Sequence, residues 1–216
     1  MTDTEFIKFP KMARLSRDMI VTEKINGTNA QIYITEAEGL ESPAALCHVD
    51  GLALYAGSRT RWITTEKDNH GFAKWAYEHQ EELVQGLGLG RHFGEFWGSG
   101  ISVGYGLPKG EKRFSLFNVQ RWCLHGTEPQ RIITGDPRQE KYQQRLPACV
   151  GLVPILYRGP FSTTIAECVL NDLERNGSSA APGFFPAEGI VVHHVAGNVS
   201  FKKTIKNDAM PKSLVK

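Results

Sequence analysis

Short apolar runs separated by Asn-Gly, Asp-Gly and Gly-Asn dipeptides dominate the hydrophobic pattern of this chain, and they predict a structure built mainly from strands. Met19-Ile20-Val21 is apolar and β-branched, while Ala30-Gln31-Ile32-Tyr33-Ile34 alternates apolar with polar, so a strand is predicted on each side of Asn26-Gly27. Both residues of that dipeptide tolerate positive φ, which predicts a hairpin turn. Asp50-Gly51, between strands over 44–49 and 52–56, predicts a second hairpin. Strands are also predicted over 91–97 and 113–122, the latter with Phe114, Leu116 and Asn118 on one face and Phe117 and Val119 on the other. Residues 150–157 are apolar but contain Pro154, which predicts an edge strand or an extended segment. The last two strands are Ile190-Val191-Val192, with His193-His194-Val195 behind, and 199–204, joined through Gly197-Asn198.

Helical periodicity is rarer. Asp68-Asn69 is a predicted N-cap for a helix to about Gln85, with Phe72, Ala76, His79 and Leu83 on one face, Glu78, Glu81 and Glu82 mostly on the other, and Gly86 ending it. Ser162 or Thr163 caps a second helix whose face is Ile165, Val169 and Leu173 with Ala166 and Leu170, closed by Asn176-Gly177. Asp136-Pro137 begins a short polar helix that ends near Leu146-Pro147. Residues 6–18, 36–43 and 178–186 read as loops. Gly86-Leu87-Gly88-Leu89-Gly90 lacks the spacing of a dinucleotide loop and follows a helix instead of a strand, which excludes that reading. With no internal repeat and no long linker, residues 1–216 are expected to form one domain.

Composition narrows the class. Over 216 residues, 41% are hydrophobic and 22% charged, enough apolar sequence to bury a core and too much for a disordered chain. The net charge of +2 hides two basic patches. Residues 108–147 hold eight Lys or Arg against four acids, and five lysines follow Phe201 against Asp208 alone; such patches attract polyanions. Four cysteines without paired spacing give neither a zinc site nor a disulfide framework, and Cys47-His48, Cys123 with His125, and His193-His194 lack the further partners a metal needs. No apolar leader or membrane-spanning run is seen, so a cytoplasmic protein is expected, in the host cytoplasm if the source is a virus.

Several residues carry candidate chemistry. Lys24, beside the predicted turn, is held where an amine can act as a nucleophile. Arg59 and Arg61 follow a strand end, where the guanidinium fork suits phosphate oxygens. Glu95 is a lone acid among Phe93, Gly94, Phe96 and Trp97, costly to bury unless something binds it. Phe117 is placed to stack on a base. On the last strand Lys202, Thr204 and Lys206 share one face and Lys203 the other, so only one of the adjacent lysines can face a pocket.

Taken in order, Glu23-Lys24-Ile25-Asn26-Gly27-Thr28-Asn29, Gly94-Glu95-Phe96-Trp97-Gly98, Phe114-Ser115-Leu116-Phe117-Asn118, Glu188-Gly189-Ile190-Val191-Val192 and Lys202-Lys203-Thr204 resemble the motifs of the covalent nucleotidyltransferase superfamily of polynucleotide ligases and mRNA capping enzymes. The first motif looks most like ATP-dependent RNA ligases of the RNA ligase 2 kind. The resemblance implies an α+β nucleotidyltransferase domain, an ATP-grasp-like ligase domain, of two antiparallel sheets flanking a nucleotide cleft with helices outside. It also implies that Lys24 attacks the α-phosphorus of ATP to give lysyl-AMP. Glu23 and Ile25 then flank the nucleotide, Glu95 takes the ribose hydroxyls, Phe117 stacks on adenine, and Arg59 meets sugar or phosphate. Glu188 positions a metal or the lysine, Lys202 and Lys203 hold the α-phosphate, and Asn29 serves later steps on RNA. The implied cofactors are ATP and Mg2+ or Mn2+; the implied partners are RNA 5′-phosphate and 3′-hydroxyl ends, with a separate RNA-binding partner in reserve.

The chain departs from the pattern in four places. Asn26 stands where Asp is common, Thr204 stands where a second lysine belongs, Asn118 replaces a frequent Asp, and His193 occupies a position sometimes held by lysine. About ten residues follow the last motif, so neither an oligonucleotide-binding barrel nor a helical C-terminal domain is expected. A capping-type guanylyltransferase and a non-catalytic nucleotide- or RNA-binding module are the other two readings.

Overall fold

The computed structural model describes residues 6–37, 44–122, 146–206 and 208. In chain order these form β1 (Asp18–Lys24), β2 (Thr28–Glu36), β3 (Cys47–Val49), β4 (Leu52–Gly57), β5 (Trp62–Ile63), α1 (Phe72–Glu78), α2 (Gln80–Leu87), β6 (Gly90–Gly98), β7 (Lys112–Leu116), α3 (Val119–Trp122), β8 (Val150–Leu152), β9 (Ile155–Pro160), α4 (Thr163–Asn176), β10 (Gly189–His194) and β11 (Val199–Thr204). Among the described residues there are two sheets: four strands in the order β11-β10-β1-β9, and seven including β3-β4-β2-β6-β7-β8 with β5 paired to β4. All pairings are antiparallel except β7 with β8, which run parallel. The fold is therefore the expected α+β arrangement of two sheets with helices outside.

Alternation explains the layers. In the larger sheet Ala30, Ile32, Ile34, Leu52, Leu54 and Ala56 point to one side and pack against Phe72, Ala76, Leu83, Val84 and Leu87 of α1 and α2. Burying each of these larger side chains contributes about 1.5–3 kcal/mol. The other face of that sheet carries Asn29, Gln31, Tyr33, Tyr55, Arg91, Phe93 and Glu95 and, among the described residues, is left without a helix. β1 is apolar on both faces because both are covered. Met19 and Val21 meet Ala166, Leu170 and Leu173 of α4, while Ile20 joins Ile25, Trp97, Tyr105, Val119 and Val153 where the sheets meet. α4 starts as the sequence predicts, with Ser162 Oγ accepting from the Ile165 N–H at 3.3 Å. No helix among the described residues is long and apolar enough to cross a membrane.

Five sequence expectations need correction. Asn26-Gly27 is not a hairpin turn: β1 and β2 lie in different sheets, and neither residue has positive φ. The Asp50-Gly51 hairpin is as expected, with φ of 50° and 77°. The first helix is interrupted at His79, whose Nδ1 lies 2.8 Å from the Trp75 carbonyl oxygen, and it continues past Gly86 because Leu87 is fully buried in the core. The strand expected through Trp122 stops at Leu116; Asn118 Oδ1 accepts from the Arg121 N–H at 3.1 Å and starts α3 instead. Residues 150–157 are two strands, β8 and β9, in different sheets, with Pro154 between them. Strand β3 begins only at Cys47. The helix expected from Asp136, most of the 36–43 loop, Cys123, His125 and the lysines beyond Lys206 lie outside the described residues.

Candidate active site

Between the two sheets lies a cleft of about 780 Å³, within the size range of nucleotide-sized sites. Pairing register builds one wall: Thr22, Val191 and Lys202 form a cross-strand row, and Ile20, His193 and Ser200 the next. The facing wall is the helix-free side of the larger sheet, where Asn29 lies opposite Glu95 and Gln31 opposite Phe93. Lys24, Ile25, Asn29, Arg59, Glu95, Phe117, Glu188 and Lys202 all border this cleft. The sequence-predicted residues are thus brought together from positions 24 to 202.

Lys24 ends β1 and pairs across to Gly189, so its amine reaches the residue before that glycine: Nζ is 2.6 Å from Glu188 Oε2, with both side chains less than one-fifth exposed. Its neighbour Glu23 points to the other face. The Glu23 carboxylate, on a residue 1% exposed, accepts from Ser178 Oγ and from the N–H groups of Ser179 and Ala180 at 2.8 and 2.9 Å. Glu23 therefore borders the cleft without offering its carboxylate to a nucleotide, which corrects the sequence expectation. Its side chain ties the end of β1 to the loop after α4.

The crossover from β1 to β2 is pinned from three sides. The Asn26 N–H donates to the Tyr105 hydroxyl at 2.8 Å, and Ser102 Oγ donates to Asn26 Oδ1 at 2.8 Å. Glu95 accepts from the Gly27 N–H at 3.0 Å and from Asn29 Nδ2 at 3.1 Å. Gly27 passes so close to β6 that no larger residue fits, as its Cβ would fall 2.4 Å from the Phe96 carbonyl oxygen. Tyr105 carries an unusual φ of 51° and is 1% exposed. Burial, with the nearby Glu23, Glu188 and Glu95 carboxylates in support, pushes its hydroxyl well above the usual phenol range, so it remains a neutral partner for the backbone.

Aromatic and basic groups complete the cleft. Phe117 is 42% exposed, and its N–H donates to the carbonyl of Phe93, itself 51% exposed, so two phenylalanines border the same space. Of the paired arginines only Arg59 borders the cleft; Arg61 donates to the Lys67 carbonyl at 3.4 Å. Of the adjacent lysines only Lys202 does. Lys203 Nζ lies 3.4 Å from Glu167 on α4, which removes it from the expected phosphate-binding set. Thr204 is no substitute, as its Oγ1 donates to the Lys206 carbonyl at 2.9 Å. Tyr105, Phe93, Arg91 and the 178–180 loop were not singled out by the sequence. The Gly104-Tyr105-Gly106 triplet was a signal for Tyr105, and alternation along the predicted 91–97 strand was the signal that puts Arg91 and Phe93 on the face of Glu95.

His92 sits behind this wall, 3% exposed, with Nε2 3.0 Å from the Gly88 carbonyl oxygen. Burial, reinforced by the Arg121 charge, lowers its pKa from 6.5 to about 4. As pH falls below 6.5 the unfolded chain takes up a proton that folded His92 refuses until about pH 4. Stability is therefore whole above 6.5 and is lost through that window at up to about 1.4 kcal/mol per pH unit. Thermal melts of His92→Gln are expected to fall less between neutral pH and pH 4 than those of the unsubstituted protein; equal slopes would remove His92 as the cause.

Among the described residues no three His, Cys, Asp or Glu side chains gather as a metal-binding group. Comparison with known proteins gives one family: the model of the RNA ligase family matches residues 17–207. No curated protein matches the chain. Among solved structures, an apo variant of a Naegleria gruberi RNA ligase is similar at 17% identity with a TM-score of 0.50, covering 88% of this chain and 50% of that one. A variant of the same organism's RNA ligase with AMP and Mn gives 16% identity, a TM-score of 0.50 and the same coverages, and one with ATP and Mn gives 17%, 0.50, 89% and 51%. The chain spans about half the length of these proteins, and the likeness is one of fold.

Proposed function

This chain belongs to the RNA ligase family, and from that premise we propose that it joins RNA 5′-phosphate and 3′-hydroxyl ends with ATP, through a lysyl-AMP intermediate on Lys24. The observation that carries the reading is the largely buried Lys24 amine in the cleft between the sheets, 2.6 Å from Glu188, with Lys202, Arg59 and Phe117 bordering the same space. In the first step the neutral Lys24 amine attacks the α-phosphorus. The N–P bond forms, the bond to pyrophosphate breaks, and the nitrogen gives up a proton, for which Glu188 Oε2 is the nearest base. Lys202 and Arg59 offset the negative charge that gathers on the phosphate oxygens. Phe117 stacks on the adenine, and Glu95 and Asn29 turn toward the ribose and the RNA end.

In the second step a 5′-phosphate oxygen of RNA attacks the same phosphorus, and the N–P bond breaks with a proton returning to Lys24. In the third, the 3′-hydroxyl attacks the 5′-phosphate of that adenylylated end and AMP leaves. A divalent ion, Mg2+ or Mn2+, fits this donor set only if phosphate oxygens and water supply most of its shell, because Glu23 is turned away and Glu188 is the carboxylate beside the lysine. When bound it neutralises phosphate charge. Incubation with labelled ATP or GTP and divalent metal tests the reading: a protein-AMP adduct that passes to 5′-phosphorylated RNA supports it, a GMP adduct supports capping chemistry instead, and no adduct overturns it.

The two adjacent lysines give a sharper test. Lys202→Ala is expected to slow adduct formation by roughly 10²–10³-fold, the usual cost of losing one charge-stabilising donor. Lys203→Ala, which removes only an exposed pair with Glu167, is expected to stay within about twofold. Stopped-flow release of pyrophosphate measures both, and equal effects would show that the strand register has been misassigned.

A further inference from the structure

The helix-free face of the larger sheet does not end at the cleft. Along β6 the residues on this face step outward as Glu95, Phe93 and Arg91, about 7 Å apart. At the outer step Arg91 lies opposite Tyr33, which lies opposite Tyr55, while Trp62 joins from β5. Tyr33 and Trp62 are stacked, with centroids 6.1 Å apart and planes at 20°; Tyr55 lies 5.6 Å from Tyr33 and 5.3 Å from Trp62. The exposed Arg91 guanidinium lies 4.2 Å from the Tyr33 centroid and 5.3 Å from that of Trp62, so it forms a further layer of the same stack.

Beyond Glu95, the charge bordering this face is positive. Arg59, at the cleft edge, and Arg91 are exposed, and neither is in an ion pair among the described residues. The acid on these β2, β4 and β6 positions is Glu95, whose oxygens accept from Gly27 and Asn29. Arg59 and Arg91 both border the cleft as well, so the basic, aromatic surface is continuous with the lysine site.

We propose that this Tyr33, Tyr55, Trp62 and Arg91 platform is a binding surface for unpaired bases of the RNA strand that enters the cleft, with Arg59 on its phosphates. The proposal rests on the RNA-joining reading and adds to it a docking surface and a substrate form. Aromatic rings and guanidinium planes accept any base face, whereas a duplex keeps its base faces occupied, so the platform selects single-stranded RNA. A structural cluster alone would leave RNA affinity untouched when a ring is removed.

The full chain, as isolated and after incubation with ATP, is titrated with a 5′-phosphorylated single-stranded oligoadenylate and with a blunt RNA duplex of the same length. Trp62→Ala and Tyr55→Ala are expected to weaken single-strand binding about tenfold or more, the effect of losing one stacked base, while adduct formation from ATP stays within about twofold. Arg59→Gln is expected to lower the slope of log affinity against log salt by about 0.7, the value for one phosphate contact on a single strand. Single-stranded RNA is expected to quench tryptophan emission through Trp62, as Trp97 and Trp122 are buried and Trp75, on α1, packs against the opposite face of the sheet, and Trp62→Phe is expected to abolish the quench while keeping most of the affinity. That conservative variant serves if Trp62→Ala does not fold. Unchanged single-strand affinity in Trp62→Ala and Tyr55→Ala, or equal binding of the duplex, overturns the platform. Adduct formation by the unsubstituted protein reports separately on the joining reading, so a protein that binds RNA through Trp62 but takes no AMP would sink only the latter.

Discussion

Lys24→Ala is expected to lower covalent AMP capture by on the order of 10⁴-fold or more, the loss typical of removing a nucleophile. Among the described residues nothing else bordering the cleft can replace it at the same point. Lys202 lies on β11, two strands away across β10, in the row of Thr22 rather than that of Lys24. Alanine also removes the ion pair with Glu188, so inactivity alone would not separate lost chemistry from a disturbed site. Lys24→Arg makes the separation. It keeps a cation beside Glu188 but stays protonated at any working pH, so it is expected to fold normally and form no adduct. A strand supplied with its 5′ end already adenylylated bypasses the amine, and sealing of that strand by Lys24→Ala is expected to be largely retained. Intact-protein mass spectra and a gel of the sealed product read the two halves. An adduct in Lys24→Ala would move the nucleophile elsewhere and with it the whole assignment of the cleft.

The sequence made the facing of side chains legible wherever alternation decides it. Lys202 was separable from Lys203 because a strand turns successive residues to opposite sides, and Glu95 stood out as an acid among aromatics. What it could not supply was which strands share a sheet. Asn26-Gly27 and Asp50-Gly51 carry the same local signal, yet the second closes a hairpin at φ of 50° and 77°, and the first carries the chain from one sheet to the other. The difference lies in remote contacts: Tyr105 and Glu95 hold the backbone N–H groups of Asn26 and Gly27, and Ser102 holds the Asn26 side chain. Pro154 behaves likewise, being legible as a break but not as the handover between β8 and β9. Glu23 was misread for the same reason, since its partners Ser178 to Ala180 lie more than 150 positions away. The aromatic platform depends on the register of four strands, none of which is special on its own.

Gly27→Ala is expected to be among the most damaging single changes, for a reason of space and not of backbone freedom. Its φ is ordinary, but an added Cβ would sit 2.4 Å from the Phe96 carbonyl oxygen and 2.7 Å from Trp97 Cβ. β6 cannot yield, because it is hydrogen-bonded between β2 and β7 at those residues. The crossover must therefore move outward, stretching the 3.0 Å hydrogen bond from Gly27 to Glu95. A forced shift of this kind costs about 3 kcal/mol, or roughly 6–12 °C in melting temperature for a chain of this size. Lys24, three residues upstream, moves with it, and a misplacement of about 1 Å slows attack by about 10²-fold. Gly51→Ala provides the contrast: φ is 77° but nothing lies within 4 Å, so it should cost about 1 kcal/mol and leave adduct formation unchanged. If Gly27→Ala melts and reacts like Gly51→Ala, the close approach at the neck is wrong, and the placing of the amine by Glu95 and Tyr105 goes with it.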